Sequence, residues 1–344
     1  MMMNLTTQTR DQFELFFKQA ILDNIPEAIV GLNEMICYHF GWDKAVNVPG
    51  KRLRPLFLLL TYAAFGGKPE DAYFSAAALE TLHNYTLVHD DIEDQGLTRH
   101  GQPALWTKFG TALAINVGDY LSTLSHSFMA ECPHKTDPLG HNKAVRFFQQ
   151  ASLEVIQGQQ LDISYESYRS LSVEEYLAMI RLKTSRLFAV SLLIAGSLIN
   201  LEDKLIEELD QVGEKLGLGF QIQDDYLGIW GHAGKIGKSI SSDLLTRKKA
   251  YPALVGLQKS SEFQSLWFDD AVSNEFALRQ MKQQLEIVGA REQTLKLANA
   301  FYQEAKNELV EILPVKNEYS EALLSLIELM FAPSAQAEIS GFDQ

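Results

Sequence analysis

The stretch Glu80–Pro103, ETLHNYTLVHDDIEDQGLTRHGQP, carries three aspartates within five residues, Asp90, Asp91 and Asp94, among apolar neighbours. Residues four apart on an α-helix share one face, so Asp90 and Asp94 are expected to project side by side, about 6 Å apart along the axis. Two carboxylates that close repel each other unless a cation lies between them. Oxygen ligands suit magnesium, which also takes ligands from water and phosphate. The stretch therefore predicts a helix with a magnesium site, an exposed acidic helix end being the alternative.

Basic and imidazole side chains lie close to this acidic pair in the sequence. His83 precedes Asp90 by seven residues, which places it about 20° away on an ideal helical wheel and therefore on the same face. Arg99 and His100 follow the aspartates, and both can donate hydrogen bonds to phosphate. A phosphorylated ligand next to the predicted cation would fit this arrangement.

A second pair of aspartates, Asp224 and Asp225, stands among aromatic and apolar residues 134 positions after Asp90. Such a pair is costly to bury without a counter-ion. The glycine-rich, basic segment that follows includes Lys238 and can present N–H groups and positive charge to phosphate, although a surface loop is the alternative. We expect the two acidic motifs on two helices that face each other across one cavity.

Two further basic segments lie outside the acidic motifs. In GKRLRP, Lys51 and Arg54 immediately precede an apolar helix, where the helix dipole disfavours cations unless an anion is bound. In RLKTSR, Lys183 is followed by Thr184. The first segment predicts an anion site, and charged side chains reaching into solvent at a helix start are the alternative.

Composition narrows the class of protein. The chain has 344 residues, 46% hydrophobic and 22% charged, with a net charge of −14 and a pI of about 5.1. No basic block is present, which argues against a nucleic-acid partner. Two cysteines do not make a disulfide framework and suit a reducing cytoplasm. The longest apolar run, 187–201, is too short to span a bilayer, and the N-terminus lacks a signal-peptide pattern.

Apolar residues recur at helical spacing through most of the chain, without sustained period-two alternation. We therefore predict an all-α protein with no β-hairpin, a single domain spanning 1–344 whose last residues, 332–344, are frayed. The longer predicted helices are 72–94, 106–129, 142–164, 173–198 and 201–230.

The ordered set of motifs closely resembles that of the trans-isoprenyl diphosphate synthases, the polyprenyl synthetase family. The motifs are, in chain order, GKRLRP, ETLH, DDxxD with its following arginine and GxP, GQxxD at 158–162, KT at 183–184, FQxxDD at 220–225, GK, and DLxxxK. The resemblance implies a homodimer whose fold is a bundle of ten or more helices around a deep central cavity, the isoprenoid synthase fold. It implies a short-chain prenyltransferase that condenses isopentenyl diphosphate with an allylic diphosphate by magnesium-assisted ionisation.

The resemblance also assigns roles to single residues. About three magnesium ions per site would be held by aspartates of the two acidic motifs, Asp90, Asp94, Asp224 and Asp225. The residues that would hold the allylic diphosphate are Arg99, Lys183 and Lys248. Those that would hold isopentenyl diphosphate are Lys51, Arg54 and His83, and further substrate contacts fall to His100 and Lys238. Two side chains would turn their oxygens toward the developing carbocation, Thr184 and Gln221.

In this family, product length depends on the bulk of the side chains just before DDxxD. Tyr85 and Thr86 occupy the fifth and fourth positions before it, which resembles the geranylgeranyl (C20) arrangement, with farnesyl (C15) as the alternative. On an ideal wheel Thr86 lies near Asp90 and Tyr85 does not, which would make Leu82 the floor of the tunnel. We follow the family and predict Tyr85 as the floor.

Four residues depart from the family pattern, namely Gly228, His232, His100 and Ala250. They bring into question the outer ligands of a third magnesium ion and one contact to isopentenyl diphosphate. The alternatives are a class I terpene cyclase, a longer-chain synthase, a non-catalytic partner subunit and a helical calcium-binding protein. A cyclase would leave Lys51, Arg54 and His83 without a role.

Overall fold

The structure is a computed structural model of the chain, and it describes residues 2–43, 50–131, 137–231, 242–269, 275–314 and 316–331. The α-helices, the first ten of which are labelled α1 to α10 in chain order, are Met2–Asp23, Leu32–His39, Leu53–Ala64, Tyr73–Glu93, Leu105–Phe109, Thr111–Ala130, Pro138–Glu166, Val173–Ile180, Arg186–Leu198, Asp203–Trp230, Ser242–Leu245, Tyr251–Lys259, Ser261–Trp267, Glu275–Ile287, Ala290–Ile312 and Glu318–Phe331. A 3₁₀ turn at Pro69–Ala72 precedes α4, and a π-helical turn at Arg181–Ser185 joins α8 to α9.

The predicted all-α fold is confirmed, and the described residues add one small hairpin to it. Thr98–Arg99 and Gln102–Pro103 pair as two antiparallel strands. Between them His100 and Gly101 have φ values of 50° and 71°, the left-handed conformations that a tight two-residue hairpin turn requires. The prediction of no hairpin was wrong because strands of two residues show no alternation, and the turn signal was a single His-Gly pair.

Two predicted helices are divided in the structure. The predicted helix 106–129 becomes α5 and α6, separated by Gly110, whose φ of 91° cannot continue a right-handed helix. The predicted helix 173–198 is interrupted by the π-helical turn. None of the helices that the structure describes combines the length and the apolar character needed to cross a bilayer.

The chain forms two compact units. The first comprises Met1–Ser152, Val190–Asp210 and Leu309–Gln344, and the second comprises Leu153–Ala189 and Gln211–Glu308. Whether they act as the single domain expected from the sequence stays a prediction.

In the first unit, α4 delivers the first acidic motif. The helix packs against α3, α5 and, most extensively, α6. Every residue from Ser75 to Leu82 is buried, whereas Glu93 and Asp94 at the other end are exposed. Core packing therefore fixes the first half of α4, and the second half carries Asp90 and Asp94 toward the surface.

In the second unit, two glycines bring α10 against the π-helical turn and α9. A Cβ on Gly217 would lie 2.3 Å from the Cα of Ser185, and one on Gly213 would lie 2.4 Å from the Cα of Ala189. Real side chains cannot approach a backbone this closely, so only glycine permits the contact. The close packing holds the segment around Lys183 and Thr184 against α10.

Candidate functional site

The predicted residues form two groups, one in each unit. We name the group in the first unit the α4 cluster, and it consists of Arg52, Arg54, Glu80, His83, Asp90, Asp91, Asp94 and Arg99. We name the group in the second unit the π-turn cluster, and it consists of Asp162, Lys183, Thr184, Gln221, Asp224, Asp225 and Lys248.

Asp90 and Asp94 have the helical relation that the sequence predicted. The backbone N–H of Asp94 donates to the carbonyl of Asp90 at 2.9 Å, so the helical turn is complete up to this C-cap residue. Asp90 is half-buried and Asp94 is exposed. Both carboxylates therefore belong to one face at the solvent-facing end of α4.

Asp91, between them in the sequence, has a different role that sequence reasoning missed. It is buried, and its carboxylate accepts two hydrogen bonds from Arg99, from Nε at 2.6 Å and from Nη2 at 2.8 Å. Such a bidentate pair fixes the plane of the guanidinium. Asp91 therefore orients Arg99 and is not one of the candidate metal ligands. The signal was present in the sequence, since Asp91 lies about 100° from Asp90 and about 60° from Asp94 on an ideal wheel, at the edge of their shared face.

Positive charge accumulates around His83 in the first unit. Burial, followed by the charges of Arg54, Arg99 and Arg52, holds the pKa of His83 well below its usual range. His39, which the sequence analysis did not consider, has its pKa lowered to about 3 by burial and then by Arg99. Both imidazoles are therefore neutral, and the surrounding guanidinium groups suit a bound anion.

The direction of the hydrogen bond between His39 and Asn84 follows from the other contacts of Asn84. The side-chain amide nitrogen of Asn84 donates to Glu80, at 2.8 Å to the carbonyl and 3.1 Å to Oε1. The Asn84 Oδ1 therefore accepts, and His39 Nε2 donates to it at 3.1 Å.

The other predicted substrate contacts differ in exposure. Arg54 is buried, and burial lowers its pKa to about 10 although the charge of Glu80 opposes this change. Lys51 is exposed, and so is His100 at the turn of the hairpin. Lys238 and His232 lie outside the described residues.

The residues predicted to control product length lie on different sides of α4. Leu82 is fully buried, and Thr86 is half-buried with its hydroxyl donating to the carbonyl of His83 at 2.7 Å. The ring of Tyr85 meets the imidazole of His89 edge-to-face, with centroids 5.2 Å apart, and His89 lies against Gly118 of α6. Tyr85 therefore faces the α6 side of the helix.

In the π-turn cluster, the GQxxD motif supports Lys183. A Cβ on Gly158 would lie 2.2 Å from the backbone nitrogen of Lys183, so this glycine lets α7 pack directly on the π-helical turn. One turn further along α7, Asp162 Oδ2 accepts a hydrogen bond from Lys183 Nζ at 2.5 Å. The motif thus fixes both the backbone and the ammonium group of Lys183.

Asp225 is a buried anchor for a chain of hydrogen bonds. Its Oδ2 accepts from the Tyr176 hydroxyl at 2.5 Å and from the Tyr251 N–H at 2.9 Å, and its Oδ1 accepts from Gln221 Nε2 at 3.0 Å. Burial raises the pKa of Asp225 to about 6, against the opposing effects of Lys248 and these donors. The carboxylate is occupied by protein donors, so the exposed neighbour Asp224 is the better metal ligand of the two.

This anchor sets the direction of Gln221 and Thr184. An ionised carboxylate only accepts, so Gln221 must turn its amide nitrogen toward Asp225. Its Oε1 consequently faces Thr184, whose hydroxyl donates to it at 2.7 Å. The hydrogen of Thr184 is engaged, and its lone pairs remain available to a positive centre.

Two departures from the family pattern fall on described residues of this unit. Gly228 is half-buried on α10, one turn after Asp224, and contributes no carboxylate there. Ala250 is buried and forms the N-cap of the helix Tyr251–Lys259.

The oxygen donors present fit magnesium. Within the part of the chain that the structure describes, no three His, Cys, Asp or Glu side chains come together as a ready-made metal cage. A pair of carboxylates open to solvent is nevertheless the donor set that magnesium uses when water and substrate phosphate supply its other ligands.

Comparison with known proteins gives a consistent result. The family model described as Polyprenyl synthetase matches residues 41–288. A geranylgeranyl diphosphate synthase from Saccharolobus solfataricus is 35% identical over 283 residues, 81% of this chain and 84% of that protein. A (2E,6E)-farnesyl diphosphate synthase from Mycobacterium bovis is 34% identical over 228 residues, 64% of this chain and 62% of that protein. The crystal structure of a polyprenyl synthetase from Streptomyces coelicolor A3(2) matches with a TM-score of 0.85 at 29% identity, covering 96% of this chain and 100% of that one.

Proposed function

Since the chain belongs to the polyprenyl synthetase family, has the isoprenoid synthase fold and is a short-chain trans-prenyltransferase, we propose that it condenses isopentenyl diphosphate with an allylic diphosphate to make geranylgeranyl diphosphate (C20). Farnesyl diphosphate (C15) is the alternative product, because relatives of both names match the chain. The observation that carries the proposal is the α4 cluster, where two carboxylates on one helix face lie close in sequence to the Asp91–Arg99 pair, and the charges of the buried Arg52 and Arg54 act on His83 two turns earlier.

The direct test is incubation with isopentenyl diphosphate and each allylic primer in turn, with the products separated by chain length. Condensation with at least one primer is expected, ending at C20. Absence of condensation with every primer would contradict the proposal, and accumulation of chains beyond C20 would favour a longer-chain synthase.

The reaction requires that negative charge growing on the allylic diphosphate be stabilised as its C1–O bond breaks. Fixed cations do this without reorganising at the moment of reaction. We assign Arg99, Lys183 and Lys248 to this role, because Arg99 is oriented by Asp91 and Lys183 by Asp162. The C3=C4 double bond of isopentenyl diphosphate then attacks the allylic cation, and the departing diphosphate accepts the proton that is lost.

We assign magnesium to Asp90 and Asp94 of the α4 cluster and to Asp224 of the π-turn cluster. When bound, magnesium would neutralise part of the diphosphate charge. Isopentenyl diphosphate is assigned to Lys51, Arg54 and His83, with His100 as a further contact. A neutral His83 can donate a hydrogen bond to a diphosphate oxygen without competing with Arg54 for charge.

Asp225→Asn is expected to lower turnover by about tenfold to a hundredfold, although it does not touch the substrate. The amide oxygen introduced at this position must take the place of Oδ2, because the Tyr251 backbone N–H donates there and cannot reverse. The amide nitrogen would then meet the amide nitrogen of Gln221. Gln221 would reverse and donate to Thr184, whose hydroxyl hydrogen would then turn toward the carbocation. Single-turnover rates with saturating substrates, together with circular dichroism, measure the effect.

Tyr176→Phe is the matched control for this variant. It removes one donor to Asp225 but, at an assay pH well above the pKa of Asp225, leaves an acceptor-only carboxylate. Gln221 then keeps its direction, and turnover should fall by no more than about threefold. Equal losses in the two variants would show that the hydrogen-bond direction is unimportant.

Tyr85→Ala is expected to lengthen the product beyond C20, with Leu82→Ala having little effect by itself. The reason is the bulk of the Tyr85 ring, which the family uses to stop chain growth. The measurement is chain-length analysis under conditions of excess isopentenyl diphosphate. If Leu82→Ala extends the product and Tyr85→Ala is inert, the floor lies on the face of α4 that carries Thr86 and Asp90.

We further propose a cytoplasmic homodimer that binds no nucleic acid. Apolar side chains on α6, Leu113 at 48% and Ile115 at 42% exposure, support an association surface. Light scattering of the purified protein measures the mass, and a monomer at all concentrations would contradict the dimer.

A further inference from the structure

Glu14 of α1 lies outside the residues that the family model matches, yet its carboxylate is buried against the GKRLRP segment. Its Oε2 accepts from Arg52 Nε at 2.7 Å, and its Oε1 accepts from Arg52 Nη2 at 3.1 Å and from Trp42 Nε1 at 3.0 Å. On the other side, Arg52 Nη1 donates to Glu80 Oε1 at 2.7 Å. Arg52 is thus held between two buried carboxylates on different helices.

The backbone at Arg52 shows what these contacts achieve. Its φ of 49° and ψ of 37° lie in the left-handed region, immediately before α3 begins at Leu53. A residue with a Cβ adopts this conformation only where its surroundings determine it. The guanidinium also lies over the ring of Phe17 at 5.3 Å, and a Cβ on Gly50 would come within 3.1 Å of Arg52 Nη1.

The residues on either side of Arg52 are those assigned to isopentenyl diphosphate. Lys51 precedes it, and Arg54 lies in the first turn of α3. Glu80 also acts on Arg54, because its charge raises the Arg54 pKa against the effect of burial. Glu14 accepts hydrogen bonds from Nε and Nη2 of Arg52. Glu80 is therefore not the only carboxylate that compensates the charge of Arg52, and its negative charge also acts on Arg54.

We propose that Glu14 is a positioning residue for the isopentenyl diphosphate site, acting through Arg52 to fix residues 51–54. This proposal rests on the function proposed above. Arg52 belongs to the supporting structure and not to the substrate contacts, because its N–H groups are engaged by Glu14 and Glu80.

Glu14→Gln tests the proposal at constant side-chain size. The KM for isopentenyl diphosphate should rise roughly tenfold, while kcat and the KM for the allylic primer stay within about twofold of the parent. Loss of a negative charge close to an anion site would by itself lower that KM. A KM for isopentenyl diphosphate that is unchanged or lower would therefore overturn the positioning role.

Two controls separate positioning from general loss of stability. Phe13→Leu weakens the packing of the same helix at a fully buried side chain, and it should lower Tm without changing either KM. Glu14→Gln and Arg52→Gln should be combined, because a residue that acts through Arg52 adds nothing once Arg52 is replaced. Additive increases in KM would contradict the proposal, whereas absence of condensation by the parent enzyme would instead refute the proposed function.

Discussion

Replacing Asp90 with alanine is expected to lower turnover by about three orders of magnitude while the helical fold persists. The loss is large because the pair formed with Asp94 is the only part of the α4 cluster assigned to the metal. The fold should persist because α4 is anchored through its buried half, Ser75–Leu82. Steady-state turnover measured across a magnesium titration, with circular dichroism alongside, gives both quantities.

Glu93→Gln is the control for this experiment. Glu93 is exposed in the same turn of α4 but lies outside the pair spaced by four residues, so removal of its charge should leave turnover within about twofold. Near-normal turnover in Asp90→Ala, or an equal loss in both variants, would remove the basis for the metal site.

Gly158→Ala is expected to be the most damaging substitution that leaves every charged and polar group in place. The added methyl group would have to lie 2.2 Å from the Lys183 nitrogen and 2.6 Å from its Cα, and a backbone cannot give way as the end of a side chain can. Overpacking of this kind costs about 1–3 kcal/mol of unfolding free energy. A displacement of Lys183 and Thr184 by about 1 Å should in addition lower turnover by about a hundredfold.

Gly196→Ala provides the comparison in another helix. There the nearest atom to the added Cβ is Leu209 Cδ1 at 3.1 Å, the end of a flexible side chain, so only a small change in Tm is expected. Turnover and Tm of the two variants should be measured together. If Gly158→Ala retains normal turnover, close packing of α7 on the π-helical turn has no functional value.

The helical fold was predictable because its signal is repeated many times along the chain. In α4, for example, the long buried run from Ser75 to Leu82 leaves little choice of structure. The hairpin at 98–103 depends instead on two residues with positive φ, and a turn that short carries too little pattern to be recognised. The π-helical turn carries no local pattern either, and the glycines that pack against it, Gly158 and Gly217, are distant in sequence.

The predicted site residues show the same difference between local relations, which the sequence reveals, and long-range contacts, which it does not. Spacing alone placed Asp90 and Asp94 on one face of α4, because that relation is local. Which aspartates are open to a ligand and which are engaged by the protein depends on distant partners. Asp91 is paired with Arg99, and Asp225 accepts from Tyr176 on another helix. Sequence spacing gives no information about such partners, so it predicts one role for Asp224 and Asp225 although the first is exposed and the second is buried.

The π-helical turn at Arg181–Ser185 also limits how this enzyme can change by insertion and deletion. A π turn contains one more residue than an α turn, and one residue corresponds to about 100° of rotation on a helix. Because the π turn absorbs its additional residue locally, deleting one residue of the turn would restore an α turn without rotating the helix that follows. A deletion between Ser185 and Ala189 would instead rotate the buried run that ends at Leu198 and take Ala189 away from Gly213. Length changes that keep the rest of α9 in place are therefore expected only in this turn and in the loops.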